Sequence, residues 1–413
     1  MIDLSKFDRI KTIGQSMFPF LQHGDVIYYR QILYEDIKTN DIIVVKSRKS
    51  YFTHRVIFKN DDYIVTKGDN NPFPDRKVMR EQIVGKVYQI KRKGKVVRLV
   101  HLYLLQSILY FKEIKLINSF LRKNNFKFLF LKGLPLHLHY EKRHPQRIYA
   151  DCDVFVDKSE RNNIENIFYK LGYKKLTEKS MMSGISANPK PETNYYKVVN
   201  GVRVVFDVHF EPAFMMTKLY INHRFYDLKL LNSLTGHLLK SRREIKVNRN
   251  SFSILKSVEL VAYLALHFFH HNYRGIYRLE LIKEIIDKEF SSEKWRQLGK
   301  FILQYKLQNF VFPVFILLKD YYSVSVPRAF LSKISPKHLF NVFLMSRINS
   351  TVFTNQNRFQ AGIERFLLLL TLSPQPLYQR LMVFTDFAVV LLALRLVYKY
   401  LLSRIKKIQL TGK

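Results

Sequence analysis

FKFLFLKGLPLHLHYEKRHPQRIYADCDVFV, residues 126–156, decides how the larger part of this chain folds. An aromatic and aliphatic run, FKFLFLKG, ends in a glycine turn and reads as a strand. LPLHLHYEKR then carries its apolar residues at helical spacing, and RIYADCDVFV returns to a strand. Outward along the chain the alternation continues. SERNNIENIFYKLGY reads as a helix, and VRVVFDVHF, after the turn at Asn200–Gly201, as a further strand. Strand, helix, strand, helix, strand is the signature of an α/β unit.

On either side the pattern changes. From Val96 to Arg122 leucines and isoleucines recur at three and four, which predicts a helix leading into the second domain. From about Leu255 the chain reads as mainly helical, beginning with ILKSVELVAYLALHFFHH. Before residue 96 it reads as short strands: DVIYYR, DIIVVK, HRVIF, YIVTK and IVGKVYQI, with HGD, TND, KNDD and GDNNPFPD between them and KRKGK as a closing basic turn. The expected fold class is therefore multidomain α and β. An all-β domain spans 1–95, a helical connector 96–122, an α/β core 123–250 and a helical, basic region 251–413.

Composition excludes several classes. With 47% hydrophobic and 25% charged residues the chain has ample apolar surface to bury, so wholesale disorder is excluded. Cys152 is the only cysteine, so no disulfide forms within the chain. Lys and Arg number 69 against 33 Asp and Glu, a net +36. From Tyr321 onward there are 13 basic and 2 acidic side chains. Such a field favours an anionic partner. The N-terminus MIDLSKFDRIKTIG lacks the apolar core of a signal peptide. Leu381–Leu402 is interrupted by Asp386, Arg395 and Lys399, too often for a spanning helix. The expected location is cytoplasmic. Leu381–Lys407 is read either as a helix closing the core or as one lying on an anionic membrane at its inner face.

Four fragments of the β domain carry chemistry: GQSMFP (14–19), HGD (23–25), THRV (53–56) and KGDNNPFPD (67–75). They supply the types that acyl transfer needs. A hydroxyl attacks, an imidazole takes its proton, and a carboxylate orients the imidazole. In this order the boxes resemble the signal peptidase I family and its LexA-like fold, in the archaeal and endoplasmic-reticulum branch that has histidine where most bacterial enzymes have lysine. The resemblance implies Ser16 as nucleophile, His54 as general base and Asp69 and Asp75 as the acidic partners, either of which can contact His54. It requires no cofactor. Backbone near Ser16 would supply oxyanion donors, with Gly14 permitting a tight approach and Pro19 fixing the turn. The residues before Ser16 are polar where the family has a membrane anchor. A soluble or membrane-surface peptidase acting on a peptide or protein other than an export signal is therefore expected.

In the α/β region Asp151 and Asp153 lie two apart on a predicted strand, which puts both carboxylates on one face. Asp207, on a neighbouring predicted strand, would complete an acidic cluster suited to hard cations. Lys132-Gly133, Arg147, Asp151-x-Asp153 and Asp207-Val208-His209, with LVAYLALHFFHH beyond them, resemble the uncharacterised nucleotidyltransferase family of the DNA polymerase β-like superfamily over about residues 115–370. The resemblance implies Asp151, Asp153 and Asp207 as ligands of Mg²⁺ or Mn²⁺ and a nucleoside triphosphate as substrate. Lys132, Gly133 and Arg147 would then lie on the phosphates. The glycine turn lacks the superfamily's usual Gly-Ser pair, and with it one phosphate contact. His267, His270 and His271 suggest zinc, but without further Cys or His at matching spacing they read better as core histidines.

The expectation is thus a two-centre protein, a Ser-His-Asp peptidase fused to a metal-dependent nucleotidyltransferase, suited to processing and modifying a peptide. The alternative is a non-catalytic or singly active peptide-recognition adaptor with a basic, anion- or membrane-binding half. Nucleic acid is the third choice, because the charge permits it but no recognised binding module is present.

Overall fold

The computed structural model describes residues 7–18, 20–47, 50–71, 73–142, 149, 151–176, 191–212, 222–336, 340–354, 356 and 358–385. Arg147, Pro19 and the segment from Asp386 to Lys413 lie outside them, so the expectations for Arg147, for the Pro19 turn and for most of Leu381–Lys407 concern residues that are not described. Among the described residues no helix is long and apolar enough to cross a membrane.

The N-terminal domain is built from β1 (Asp8–Lys11), β2 (Val26–Arg30), β3 (Ile42–Ser47), β4 (Ser50–Lys59), β5 (Tyr63–Lys67), β6 (Val78–Met79), β7 (Ile83–Arg92) and β8 (Lys95–Arg98). They form one sheet in the order β1-β2-β7-β3-β4-β5-β6, with β8 also on β7. Strand β3 shows why its sequence, IIVV, does not alternate. Ile42 and Val44 enter one core with Met17, Ile27 and Val87, while Ile43 and Val45 enter another with Ile37, Val56 and Ile64. Both faces of the sheet are covered, so both sets of side chains must be apolar. The β7–β8 hairpin carries the domain through Arg98, past the expected boundary at residue 95.

Helix α1 (Leu99–Lys123) is more than a connector. Leu99 and Tyr103 are buried in the β domain, and Tyr110, Ile114, Ile117 and Leu121 in the core of the second domain. One helix therefore belongs to both units.

The second domain continues with β9 (Phe128–Lys132), α2 (Leu134–Glu141), β10 (Cys152–Val156), α3 (Arg161–Lys170), β11 (Lys174–Lys175), β12 (Glu192–Val199), β13 (Val202–His209), α4 (Asn222–Phe225), α5 (Leu228–Lys240), β14 (Arg242–Val247) and β15 (Asn250–Leu255). The sheet order is β11-β12-β13-β10-β9-β15-β14, with β10 parallel to β13 and antiparallel to β9. The β14–β15 hairpin joins this sheet where Ile254 pairs with Phe130, which extends the α/β core to Leu255. Helices follow: α6 (Ser257–His270), α7 (Leu279–Glu289), α8 (Ser292–Gln304), α9 (Gln308–Tyr322), α10 (Arg328–Ile334), α11 (Phe340–Thr351), α12 (Arg358–Leu372) and α13 (Leu377–Leu381). Helix α6 is apolar almost all round and is correspondingly buried in the middle of this layer.

The two domains share a core. Phe58 of β4 meets Tyr321, Tyr322 and Phe353 nearly edge-on, with ring centroids 5.7, 5.5 and 5.5 Å away. Edge-to-face packing of this kind adds to the apolar burial itself.

Candidate functional site

Four adjacent strands deliver one row of polar side chains. Asp153 of β10 pairs with Lys132 of β9 on one side and with Asp207 of β13 on the other, and Asp207 pairs in turn with Asn194 of β12. Residues opposite one another in a sheet share a face. Asp151, just before β10 and two residues from Asp153, points the same way, as does His209, two beyond Asp207. Cys152 between the aspartates faces the core, where burial pushes its thiol well up.

Within the row Lys132 Nζ stands 3.0 Å from Asp153 Oδ2 and 3.8 Å from Asp151 Oδ2. His209 Nε2 is 2.9 Å from Asp153 Oδ1, and Asn194 Nδ2 donates to Asp207 Oδ1 at 2.5 Å. The charges are uneven. Burial opposes ionisation of Asp153, but Lys132 and His209 outweigh it and hold this carboxyl below its ordinary value. Asp207 has no cation bonded to it, and His209 offsets only part of what raises it. Burial first, then Asp153 and Asp151, push it up to about 7. Asp151 is also raised, chiefly by burial. Burial works against the His209 cation, yet the bond to Asp153 and the nearby carboxylates raise this imidazole overall.

The row forms the floor of a cleft of about 690 Å³. Lys132 and Gly133 line it at the start of α2, with Gly133 at a φ of 99°. Opposite are His267, His270 and His271 from the end of α6 and Tyr277 and Arg278 beyond it. The three imidazoles are pushed well below their ordinary value, first by burial and then by surrounding cations, so they are neutral here. The β domain closes one side through Ile37–Asn40 and Lys59. Four buried polar atoms of the lining lack a hydrogen-bond partner among the described residues: His137 Nε2, Asp153 Oδ2, His209 Nδ1 and Arg278 Nε. Asp153 Oδ2 is ion-paired with Lys132 but not aligned for a hydrogen bond. Unsatisfied groups gathered in one cleft mark it as built for a polar guest.

As a cation site the donor types fit, since all three carboxylates offer the hard oxygens that Mg²⁺ and Mn²⁺ prefer. Their placing is not a closed cage. Among the described residues no three acidic, His or Cys side chains stand ready to hold an ion, and between Asp151 and Asp153 the positive charge is that of Lys132. His267, His270 and His271 form no such ion site either.

The β domain holds a second constellation. Ser16 Oγ lies 2.9 Å from His54 Nε2, and His54 Nδ1 lies 2.6 Å from Asp75 Oδ2. Thr66 Oγ1 donates to the same Asp75 oxygen at 2.7 Å, and the Asp75 N–H donates to the Thr66 carbonyl. His54 is 7% exposed, with Phe52 against its ring. Of the two acidic residues expected at His54, the structure brings only Asp75 there. Asp69 instead receives both arms of Arg55, at 2.8 and 2.7 Å, and Arg55 also donates to the Tyr103 hydroxyl of α1 and the Asn40 carbonyl. The cause is strand alternation: His54 and Arg55 are neighbours on β4 and point to opposite faces.

The other boxes are braces. Asp25 of the HGD box is buried and takes two bonds from Arg92, at 2.9 and 2.6 Å, and one from the Gln22 N–H, which ties down the chain just after the Ser16 turn. Gly14 is needed for its φ of 87°, not for a close approach, because a Cβ there meets nothing within 4 Å. The close approach falls to Gly68, whose Cβ would lie 2.6 Å from the Ser16 carbonyl oxygen. The sequence motifs contain His209 and Gly68 without assigning either a site role, and they do not include Arg278 or Asn194. A lone Arg in a helical stretch carries no motif, and the place of Asn194 becomes visible only through strand pairing.

No curated protein matches the chain. The sequence model of the family described as "Uncharacterised nucleotidyltransferase" matches residues 100–323, more than half of the 413. That span runs from the second residue of α1 to the residue after α9 and takes in the whole carboxylate row, Lys132 and Arg278. The chain therefore belongs to the uncharacterised nucleotidyltransferase family.

Proposed function

We propose that the cleft transfers a nucleotidyl group from a nucleoside triphosphate with the help of Mg²⁺ or Mn²⁺. The observation that carries this is the single row Lys132–Asp153–Asp207 across three adjacent strands, with Asp151 beside it. Asp151, Asp153 and Asp207 would hold the cation, which when bound supplies Lewis-acid charge to the phosphate. Lys132, now neutralising Asp151 and Asp153, would then be free to meet phosphate oxygen, and the Gly133 turn would bring backbone N–H groups close. Asp207, next to Asp153 in the row, is placed to take the acceptor's proton on a carboxylate oxygen. Calorimetric titration of the full-length protein with each of the four NTPs, with and without Mg²⁺, tests this. Joint binding that disappears in Asp153→Asn supports it, and binding indifferent to Mg²⁺ and to Asp153→Asn opposes it.

A second centre is favoured by its own observation, the unbroken relay Ser16–His54–Asp75 at 2.9 and 2.6 Å. It supports acyl transfer in the β domain. Ser16 Oγ bonds to the acyl carbon as its proton passes to His54 Nε2, Asp75 steadies the imidazolium through Nδ1–H, and the proton then goes to the departing amine. Water repeats the sequence to release the acyl group. Acting on one peptide, this centre would cleave and the cleft would modify. Cleavage of a peptide library by wild type but not by Ser16→Ala is the test.

A further inference from the structure

We propose that Arg278 is the residue that holds the outer phosphates of the nucleoside triphosphate and neutralises the pyrophosphate as it leaves. This rests on the nucleotidyl-transfer reading of the cleft and adds a residue that no recognised motif contains.

The cleft has several cations. Lys38 is exposed at the rim on the β-domain side, and three others are engaged. Lys132 belongs to the carboxylate row, paired with Asp153 and Asp151, and once a cation displaced it there it would meet phosphate from the row's side of the cleft, not from the far wall. Lys59 gives its protons to the carbonyls of Glu35 and Ile37. Lys283 is paired with Asp287. Arg278 has no carboxylate partner among the described residues, and its Nε is buried with no acceptor. This half-buried guanidinium is a poor structural element, because its Nε is desolvated without return. It is a good anion receptor, because its planar fork matches phosphate oxygens in pairs.

The turn that carries Arg278 is built to aim it. Its guanidinium carbon lies 5.2 Å from the centre of the Tyr277 ring. Gly275 adopts a φ of 79°, and a Cβ there would come within 3.0 Å of the Tyr277 ring and 3.3 Å of Arg278 Nε. The turn is anchored by the Gly275 N–H on the Val352 carbonyl at 2.8 Å and by the Tyr322 hydroxyl on the Ile276 carbonyl at 3.1 Å. From this position the charge of Arg278 reaches Asp151 and Lys132. Arg278 therefore looks onto the carboxylate row from across the cleft without closing on it.

The chemistry assigns the phosphates. In nucleotidyl transfer the acceptor oxygen bonds to Pα while the bond from Pα to the bridging oxygen breaks. The electron pair leaves with pyrophosphate, and the acceptor's proton goes to a base on the enzyme. The carboxylates would hold the cation, but their own charge repels the outer phosphates. Those need a fixed positive charge on the far wall, which Arg278 supplies.

The test uses full-length wild type, Arg278→Ala, Arg278→Lys and Asp153→Asn. The probes are the four NTPs, the matching monophosphates and inorganic pyrophosphate, with Mg²⁺. Wild type should prefer triphosphate to monophosphate. Arg278→Ala should weaken triphosphate and pyrophosphate binding by roughly 10–100-fold, the scale of a lost pair of charged hydrogen bonds. It should leave monophosphate binding within about twofold by the same reasoning, and Arg278→Lys should recover part of the loss. A melting temperature near wild type shows that the turn survives. Equal weakening of tri- and monophosphate, or no weakening of either, overturns the role of Arg278 while the cleft still binds nucleotide. Wild type that binds no nucleotide overturns the underlying reading and this inference with it.

Discussion

Replacing Lys132 by methionine keeps the length of the side chain and removes one charge from between two carboxylates. At an effective dielectric of 20, the ammonium's attraction to Asp153 at 3.0 Å is about 5 kcal/mol and to Asp151 at 3.8 Å about 4 kcal/mol. Desolvation of the buried ammonium offsets much of this. The net cost of breaking such a pair is about 3–5 kcal/mol. For a domain of this size that lowers the melting temperature by roughly 6–20 °C. The assay is thermal unfolding with a chelator and again with excess Mg²⁺. If the carboxylates are the cation site, Mg²⁺ takes over the role of the missing ammonium. It should then stabilise Lys132→Met several degrees more than wild type, where ion and ammonium compete. The reasoning fails if Mg²⁺ shifts both proteins equally, or if Lys132→Met is as stable as wild type in chelator.

Ser16→Ala or His54→Ala should cut acyl transfer on a cleavable peptide by roughly 10³–10⁶-fold, measured as kcat/KM, with the melting temperature preserved. Asp75→Asn should share that loss, whereas Asp69→Asn, which breaks the Arg55 brace, should register mainly in thermal unfolding. Phe58→Ala should cost about 3–5 kcal/mol by removing the ring between Tyr321, Tyr322 and Phe353, and denaturant unfolding should then show the β domain parting first. Asp207 lies at about 7, above its ordinary 3.8, so the native state keeps the extra proton between those values. Stability from this group is therefore full at about pH 4 and declines as pH rises to about 7. Asp207→Asn should flatten that slope in melting curves taken in chelator.

Much of this architecture is legible without coordinates because the decisive signals are local. The turn boxes around Ser16, His54 and Asp75 and the glycine after FKFLFLK each state a backbone need or a chemical type in a few residues. The β14–β15 hairpin is less legible. RREIKVNRNSFSIL is only loosely alternating, and its place beside β9 depends on one long-range pairing. Sequence alone shows helix α1 only as a connector, because periodicity reveals an apolar face but not which core each end enters. The division of Asp69 and Asp75 between Arg55 and His54 is settled by which face of β4 each partner occupies. Arg278 and Asn194 have no local signature, and their meaning comes only from what the fold sets across from them.

The central claim is that the carboxylate row handles a nucleoside triphosphate. Its most direct measurement is transfer from α-phosphate-labelled NTPs by the full-length protein with Mg²⁺, following label on protein or added peptide together with release of pyrophosphate. The account predicts Mg²⁺-dependent labelling and an equal yield of pyrophosphate with at least one NTP, abolished by Asp151→Asn or Asp153→Asn and retained by Ser16→Ala. Labelling that persists in Asp153→Asn, or no pyrophosphate from any of the four NTPs, would contradict it.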